Sequence, residues 1–149
     1  MDQRKNFDEP IYLALAGEVP YRTVVSLRPG LCGNAHLVVT ESDTALALRS
    51  GEVPVLGTPR LVALCEQATC AAVAGQLEPG CTTVASRVQF DHLAPSLVGS
   101  NVTAEATLEK TEGRRLVFTV SALDDSGLLG AGRITRVIVD TQKFLERSR

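Results

Sequence analysis

The 149-residue sequence has no excess of basic charge, no apolar run of membrane-spanning length and no Cys-x-x-Cys pair. Its formal net charge is −2, so no basic surface stands ready to neutralise phosphates, and we expect neither nucleic acid nor a membrane as a partner. No apolar stretch reaches the roughly 18 residues of a membrane-spanning helix. The first nine residues have neither a signal-peptide core nor the acid-poor composition of a transit peptide, which favours a cytoplasmic protein.

The cysteines also lack the spacing of a metal site. Cys65 and Cys70 lie five residues apart on a predicted helix, where their side chains diverge, so we expect reduced thiols. Cys32 and His36 have the spacing of two helical ligands, but the intervening Gly-Asn pair indicates a turn, and a metal needs further ligands. The sequence therefore predicts no metal site, and we expect no cofactor.

The length and the even composition, with 44% hydrophobic residues, predict a single folded domain. Residues 1–34 carry three prolines and an Arg-Pro-Gly turn and are predicted to form an irregular arm, with a short helix around Ile11 to Ala16. The domain is expected to span residues 35–144, and residues 145–149 to form a charged tail.

One long apolar helix is predicted after a first strand at residues 35–40, which residues 44–48 extend or repeat. Thr58 and Pro59 open this helix, because the threonine hydroxyl can cap free N–H groups and proline tolerates the first helical turn. Gly75 ends it after about 16 residues. Its large polar side chains are few, so most of its surface must be covered by other elements.

From residue 82 almost to the end, the apolar pattern has the period of two that is typical of strands. One face of the first of these strands is predicted to carry Val84, Val88, Phe90 and His92. The alternating segments that follow predict an antiparallel meander closed by a strand at about 128–140. The predicted class is α+β, with a curved sheet wrapped around the helix.

Glu66 and His92 are polar residues in apolar surroundings. The helical neighbours of Glu66 include Val62, Ala63 and Cys70, and none of its neighbours three, four or seven residues away is charged. A lone acid on a helix is usually solvated, and a lone core histidine is usually only hydrogen-bonded. A buried acid that lacks a partner shifts its pKa, however, and general acid–base chemistry uses such groups.

Four segments of the chain resemble the fluoroacetyl-CoA-thioesterase-like branch of the hotdog-fold thioesterases in order and spacing. They are residues 56–68, 77–80, 88–99 and 109–115, and the resemblance extends over about residues 35–144. It implies a hotdog fold, an antiparallel sheet of about five strands around one long helix. It also implies an acyl-CoA thioesterase that forms a homodimer or a higher oligomer, with acyl-CoA entering at the seam between subunits.

The same resemblance implies a catalytic set of Thr58, Glu66 and His92. In this hypothesis Glu66 is the nucleophile or the general base on water, Thr58 positions the nucleophile or substrate, and His92 orients the acid and shuttles a proton. Both the covalent and the water-attack route remain open. Where the family branch has an aromatic residue linked to fluoroacetyl-CoA hydrolysis, Glu52 stands instead, so the resemblance does not imply that substrate.

Two further site predictions come from the residues themselves. The free N–H groups of Arg60 and Leu61 at the start of the helix are candidate donors to an oxyanion. Arg136 lies on the same strand face as two isoleucines, where it forms a structural ion pair or contacts the substrate.

Two other functions compete with hydrolysis. A hotdog hydratase or dehydratase on acyl thioesters would use a different acid–histidine set, and no second inward Asp-His pair is present. A non-catalytic acyl-CoA binding module would bind the thioester without releasing a thiol.

Overall fold

The computed structural model describes residues 27–148, in which a long helix packs on one face of a curved five-stranded antiparallel sheet. The strands are β1 (Cys32–Val38), β2 (Cys81–His92), β3 (Asn101–Glu112), β4 (Arg115–Asp124) and β5 (Gly127–Asp140). The helices are α1 (Ala45–Leu48), α2 (Thr58–Ala72) and α3 (Thr141–Arg147), with a 3-10 turn at Glu41–Asp43. The predicted α+β class is confirmed, and within residues 27–148 the longest helix, α2, has 15 residues.

The strand order is β1-β3-β4-β5-β2, so the predicted meander occupies the centre and β1 and β2 form the two edges. The helix α2 lies mainly over β1, β3 and β4. Its inward residues and the alternating residues of the central strands make one core, which contains Leu61, Leu64, Cys65, Ala68, Val102, Leu108, Phe118, Ile134 and Ile138.

The beginning of the described chain differs from the prediction in two places. The strand β1 starts at Cys32 rather than at residue 35, so the Gly-Asn pair that was expected to turn lies within a strand. Residues 45–48 are helical and not a strand, because the Thr44 side chain accepts a hydrogen bond from the Ala47 N–H and caps a short turn of helix. The helix predicted around Ile11 to Ala16 lies outside the described residues.

A β-bulge in β2 changes which side chains share a face. The register with β5 shifts between Ala85 and Arg87, and an extra residue there reverses the alternation. Val84 therefore packs on the outer face of the sheet, whereas Phe90 contacts the main core. The prediction that Val84 shares a face with His92 is wrong, because period-two counting cannot detect an inserted residue.

The charged tail predicted at residues 145–149 begins within a helix. Asp140 caps α3 by accepting a hydrogen bond from the Lys143 N–H, and Phe144 packs against Val137 and Val139 on the outer face of the sheet. The end of the chain is thereby attached to the side of the sheet opposite α2.

Candidate active site

Thr58 is the first residue of α2, but its hydroxyl does not cap the helix. Gly57 occupies the cap position, and no side chain supplies a cap hydrogen bond there. The predicted capping role of the Thr58 hydroxyl is therefore wrong. Since this hydroxyl makes no bond to its own helix, it is available to a neighbouring element.

That neighbour is His92, the last residue of β2. The Thr58 Oγ1 and His92 Nδ1 atoms are 2.7 Å apart, a short hydrogen bond between residues 34 positions apart in the chain. The other ring nitrogen of His92, Nε2, is buried and has no hydrogen-bond partner among residues 27–148. A histidine held at one nitrogen by a hydroxyl and left unsatisfied at the other is poised to move a proton.

The first turn of α2 offers fewer free donors than the sequence suggested. The N–H groups of Arg60 and Leu61 both donate to the Gly57 carbonyl, at 3.1 Å each, so the predicted pair of oxyanion donors is already occupied. Pro59 has no N–H group to offer. Within residues 27–148, the Thr58 N–H has no acceptor, which leaves it as the donor available beside the Thr58 hydroxyl.

Glu66 lies two turns further along α2 and does not join the Thr58–His92 pair within one chain. Eight residues of helix place it about 12 Å from Thr58 along the axis. Its side chain is 35% exposed, and Oε1 lies 3.7 Å from Arg136 Nη1. The structure thus brings together two of the three predicted catalytic residues and sets the third apart.

Arg136 is buried, and its position is fixed by a residue that the sequence did not single out. Its Nε donates to the Thr83 hydroxyl at 2.8 Å, and its Nη2 donates to the Thr83 carbonyl at 2.9 Å. The third nitrogen faces Glu66, so the ion-pair alternative fits the geometry within one protomer. The bulge in β2 hid Thr83 from a period-two reading of the strand.

Asp43 is a second residue that the sequence analysis missed. Its carboxylate accepts hydrogen bonds from the Thr40 N–H and hydroxyl and from Arg60 Nε, and it is 8% exposed. Burial raises the pKa of Asp43, but these hydrogen bonds and the Arg60 charge outweigh burial and hold the pKa below its usual value of 3.8. The Thr-x-x-Asp capping pattern at Thr40 was the available signal.

The cysteines and the other polar clusters add no competing site. All four cysteines are free, and Cys65 is buried whereas Cys70 is exposed, as their predicted divergence requires. Burial and the neighbouring Glu66 charge raise the pKa of Cys65 to about 11, so its thiol stays protonated. In the part of the chain that the structure covers, no group of three or more metal-ligating side chains comes together. That same part contains no helix able to span a membrane.

A long helix packed on one face of a curved antiparallel sheet is the arrangement of the hotdog fold. The model of the fluoroacetyl-CoA-specific thioesterase family matches residues 39–142. The chain belongs to this family. The family resemblance and the hotdog fold predicted from sequence are both confirmed.

Individual relatives agree with this assignment. The fluoroacetyl-CoA thioesterase of Streptantibioticus cattleyicolor is 37% identical over 90 residues, which cover 60% of this chain and 65% of that protein. The crystal structure of the fluoroacetyl-CoA thioesterase FlK is 31% identical with a TM-score of 0.78, over 83% of this chain and 96% of that one. A thioesterase superfamily member from Thermus thermophilus is 34% identical with a TM-score of 0.76, over 82% and 90% of the two chains.

Ligand complexes are known for FlK. FlK has been crystallised, as variants, with fluoroacetate and CoA together and with acetyl-CoA. A hot-dog-like protein from Thermanaerovibrio acidaminovorans is 26% identical with a TM-score of 0.76, over 83% of this chain and 92% of that one.

Proposed function

We propose that this protein hydrolyses an acyl-CoA thioester to the free acid and CoA, with Thr58 and His92 as its reactive pair. The observation that carries this proposal is the 2.7 Å contact between Thr58 Oγ1 and His92 Nδ1. The family membership and the CoA and acetyl-CoA complexes of FlK support acyl-CoA as the substrate class.

The geometry favours Thr58 as the nucleophile. His92 Nδ1 takes the hydroxyl proton while Oγ1 attacks the thioester carbonyl, and the same proton then passes to the departing CoA sulfur. Water next attacks the threonine ester, with His92 again taking a proton and returning it to the Thr58 oxygen. Sequence reasoning instead made Glu66 the nucleophile or the general base on water and gave Thr58 a positioning role.

The oxyanion formed in both halves of this reaction needs a donor close to Thr58. The unpaired Thr58 N–H stands at the positive end of α2, where backbone donors and the helix dipole both favour negative charge. His92 Nε2 requires a partner once the ring becomes charged. A water molecule or an acid from outside the protomer would meet that need.

Glu66 reaches the reactive pair only if two chains combine. Because Val62 lies midway between Thr58 and Glu66 on α2, a two-fold axis near Val62 would pair antiparallel helices and set Thr58 of one chain opposite the partner subunit's Glu66. The facing surface is available, since Pro59, Ala63 and Gln67 on this side of α2 are exposed. We therefore place Glu66 in a site shared between two subunits.

The sheet offers a second contact for the same pairing. β2 is an edge strand of 12 residues, and Val88 on it is 42% exposed. A long edge strand with an exposed apolar residue favours pairing with another strand. Joining two β2 edges would continue the sheet across a homodimer and bring the two α2 helices side by side.

An assay of free CoA release over short, branched, aromatic and long acyl-CoAs tests the proposed activity. We expect turnover of at least one substrate by the wild type and loss of that turnover in Thr58→Ala. Hydration of enoyl-CoA without thiol release would instead indicate a hydratase, and tight acyl-CoA binding without either reaction would indicate a binding module. Either of these results would contradict the proposal.

A further inference from the structure

Asp43 contacts α2 on both sides of Thr58. Its backbone carbonyl accepts a hydrogen bond from the Gly57 N–H at 2.9 Å, and its carboxylate Oδ1 accepts one from Arg60 Nε at 3.1 Å. Thr58 therefore lies between two residues that a single aspartate holds.

The carboxylate of Asp43 is itself fixed. Its second oxygen, Oδ2, accepts hydrogen bonds from the Thr40 N–H at 2.8 Å and the Thr40 hydroxyl at 2.9 Å. Both side-chain oxygens are thus occupied, and the side chain is 11% exposed. A buried carboxylate with every contact satisfied is a rigid support rather than a mobile surface charge.

The negative charge of Asp43 also offsets an unfavourable electrostatic interaction at the start of α2. Arg60 is the third residue of α2, where the positive end of the helix dipole disfavours a cation. Asp43 neutralises that cation and holds it against the preceding loop. Without the acid, Arg60 would be free to leave this position and the first turn would lose its side-chain anchor.

We infer that Asp43 is a positioning residue for Thr58, holding the start of α2 so that the threonine hydroxyl stays within hydrogen-bond reach of His92. This inference rests on the proposed thioesterase function. Asp43 acts through the backbone at Gly57 and through the Arg60 side chain, the two groups at the start of α2 that it holds by hydrogen bonds. Small displacements of a reacting group cost large factors in rate, which makes such an anchor important for turnover.

The test compares steady-state CoA release by the wild type and by Asp43→Asn, Arg60→Gln and the double variant. Asp43→Asn keeps the side-chain size and the backbone bond to Gly57 but removes the charge. We expect its kcat to fall about 10-fold with KM within about twofold, because the loss concerns alignment and not substrate binding. The double variant should resemble Arg60→Gln, since the two side chains act as one unit. Asp43→Glu, which keeps the charge, should recover part of the lost kcat.

Asp125→Asn is the matched control, since Asp125 is an exposed acid in the β4–β5 turn. Circular dichroism at the assay temperature, together with a thermal melting curve for each variant, separates misalignment of Thr58 from unfolding. An unchanged kcat in Asp43→Asn, or losses in the two single variants that multiply in the double variant, would overturn the inference. If Asp43→Asn does not fold, Arg60→Gln alone decides, and an unchanged kcat in it overturns the inference.

Thr58→Ala in the same assay separates failure of the Asp43 positioning role from failure of the proposed Thr58–His92 pair. If Thr58→Ala is inactive and Asp43→Asn is fully active, only the positioning role fails. If Thr58→Ala is fully active, the proposed Thr58–His92 reactive pair fails, and the positioning role fails with it.

Discussion

The Thr58 hydroxyl forms a hydrogen bond with His92 at the end of β2, although its position before Pro59 at the start of a helix is typical of a capping residue. Glu66 and His92 could be singled out from the sequence, because an acid and an imidazole among apolar neighbours are costly, whereas Thr58 was implied as a site residue by the family resemblance. The contacts that these side chains make could not be predicted. Gly57 caps the helix, Arg136 faces Glu66 and Thr83 holds Arg136, and all these contacts depend on packing between distant segments.

Asp43 should link stability to pH at the scale of a single residue. Its pKa in the folded protein lies below the ordinary value, so its carboxylate stabilises the fold above about pH 4, and this stabilisation is lost as the pH falls through the lowered pKa. We expect Asp43→Asn to lower the free energy of unfolding at pH 7 by about 1–3 kcal/mol.

Urea unfolding of the wild type and Asp43→Asn at pH 7 and pH 3 measures this effect. The difference between the two proteins should shrink at the lower pH, where the wild-type carboxyl is closer to being protonated. Asp125→Asn should show no such difference at either pH. A gap between wild type and Asp43→Asn that is the same at both pH values would show that the charge of Asp43 does not stabilise the fold.

At the scale of elements, the period of the apolar pattern was sufficient to predict α2 and the central strands. Buried Val102, Ala104, Ala106 and Leu108 alternate along β3 as expected. The apolar pattern gave a wrong prediction at α1, where a side-chain hydrogen bond stabilises a turn of helix, and at the bulge in β2, where an inserted residue shifts the alternation. Such features change the path of the backbone without changing the residue types that a pattern counts.

The contact between β1 and α2 depends on a glycine. A Cβ atom at Gly33 would overlap the backbone of Ala68, Ala71 and Ala72, which cannot move aside as a flexible side chain could. We expect Gly33→Ala to push the end of α2 from the sheet and to cost about 1–3 kcal/mol of stability. Thermal unfolding checks this, with the exposed neighbour Asn34→Ala as control. Equal melting temperatures for Gly33→Ala and the control would show that the two elements do not pack this closely.

At the scale of the whole molecule, the hotdog fold follows from one apolar helix and a meander of alternating strands, and it was predicted from those features and the family resemblance. The proposed shared site is harder to predict, because a single sequence does not say which residues of two chains meet. Within one chain, Glu66 faces Arg136 and lies apart from the Thr58–His92 pair, so a site containing all three residues requires a second chain.

Mixing Thr58→Ala with Glu66→Gln tests whether the site is shared, once each variant alone has been shown to lack activity. A heterodimer of Thr58→Ala with Glu66→Gln would contain one site with both native residues, because each chain supplies what the other lacks. Random exchange makes about half of the dimers mixed, so we expect about a quarter of the wild-type activity to return. The separate variants at the same total concentration are the control. No recovery after confirmed subunit exchange would show that Glu66 does not serve the partner's Thr58.

The most direct test of the central claim is a double-mutant cycle on Thr58→Ala and His92→Ala, measured as kcat/KM for CoA release. If the two side chains work as one nucleophile–base unit, each single variant loses about 10²–10⁴-fold, and the double variant loses little more than the worse single one. Losses that multiply in the double variant, or full activity in either single variant, would contradict the account.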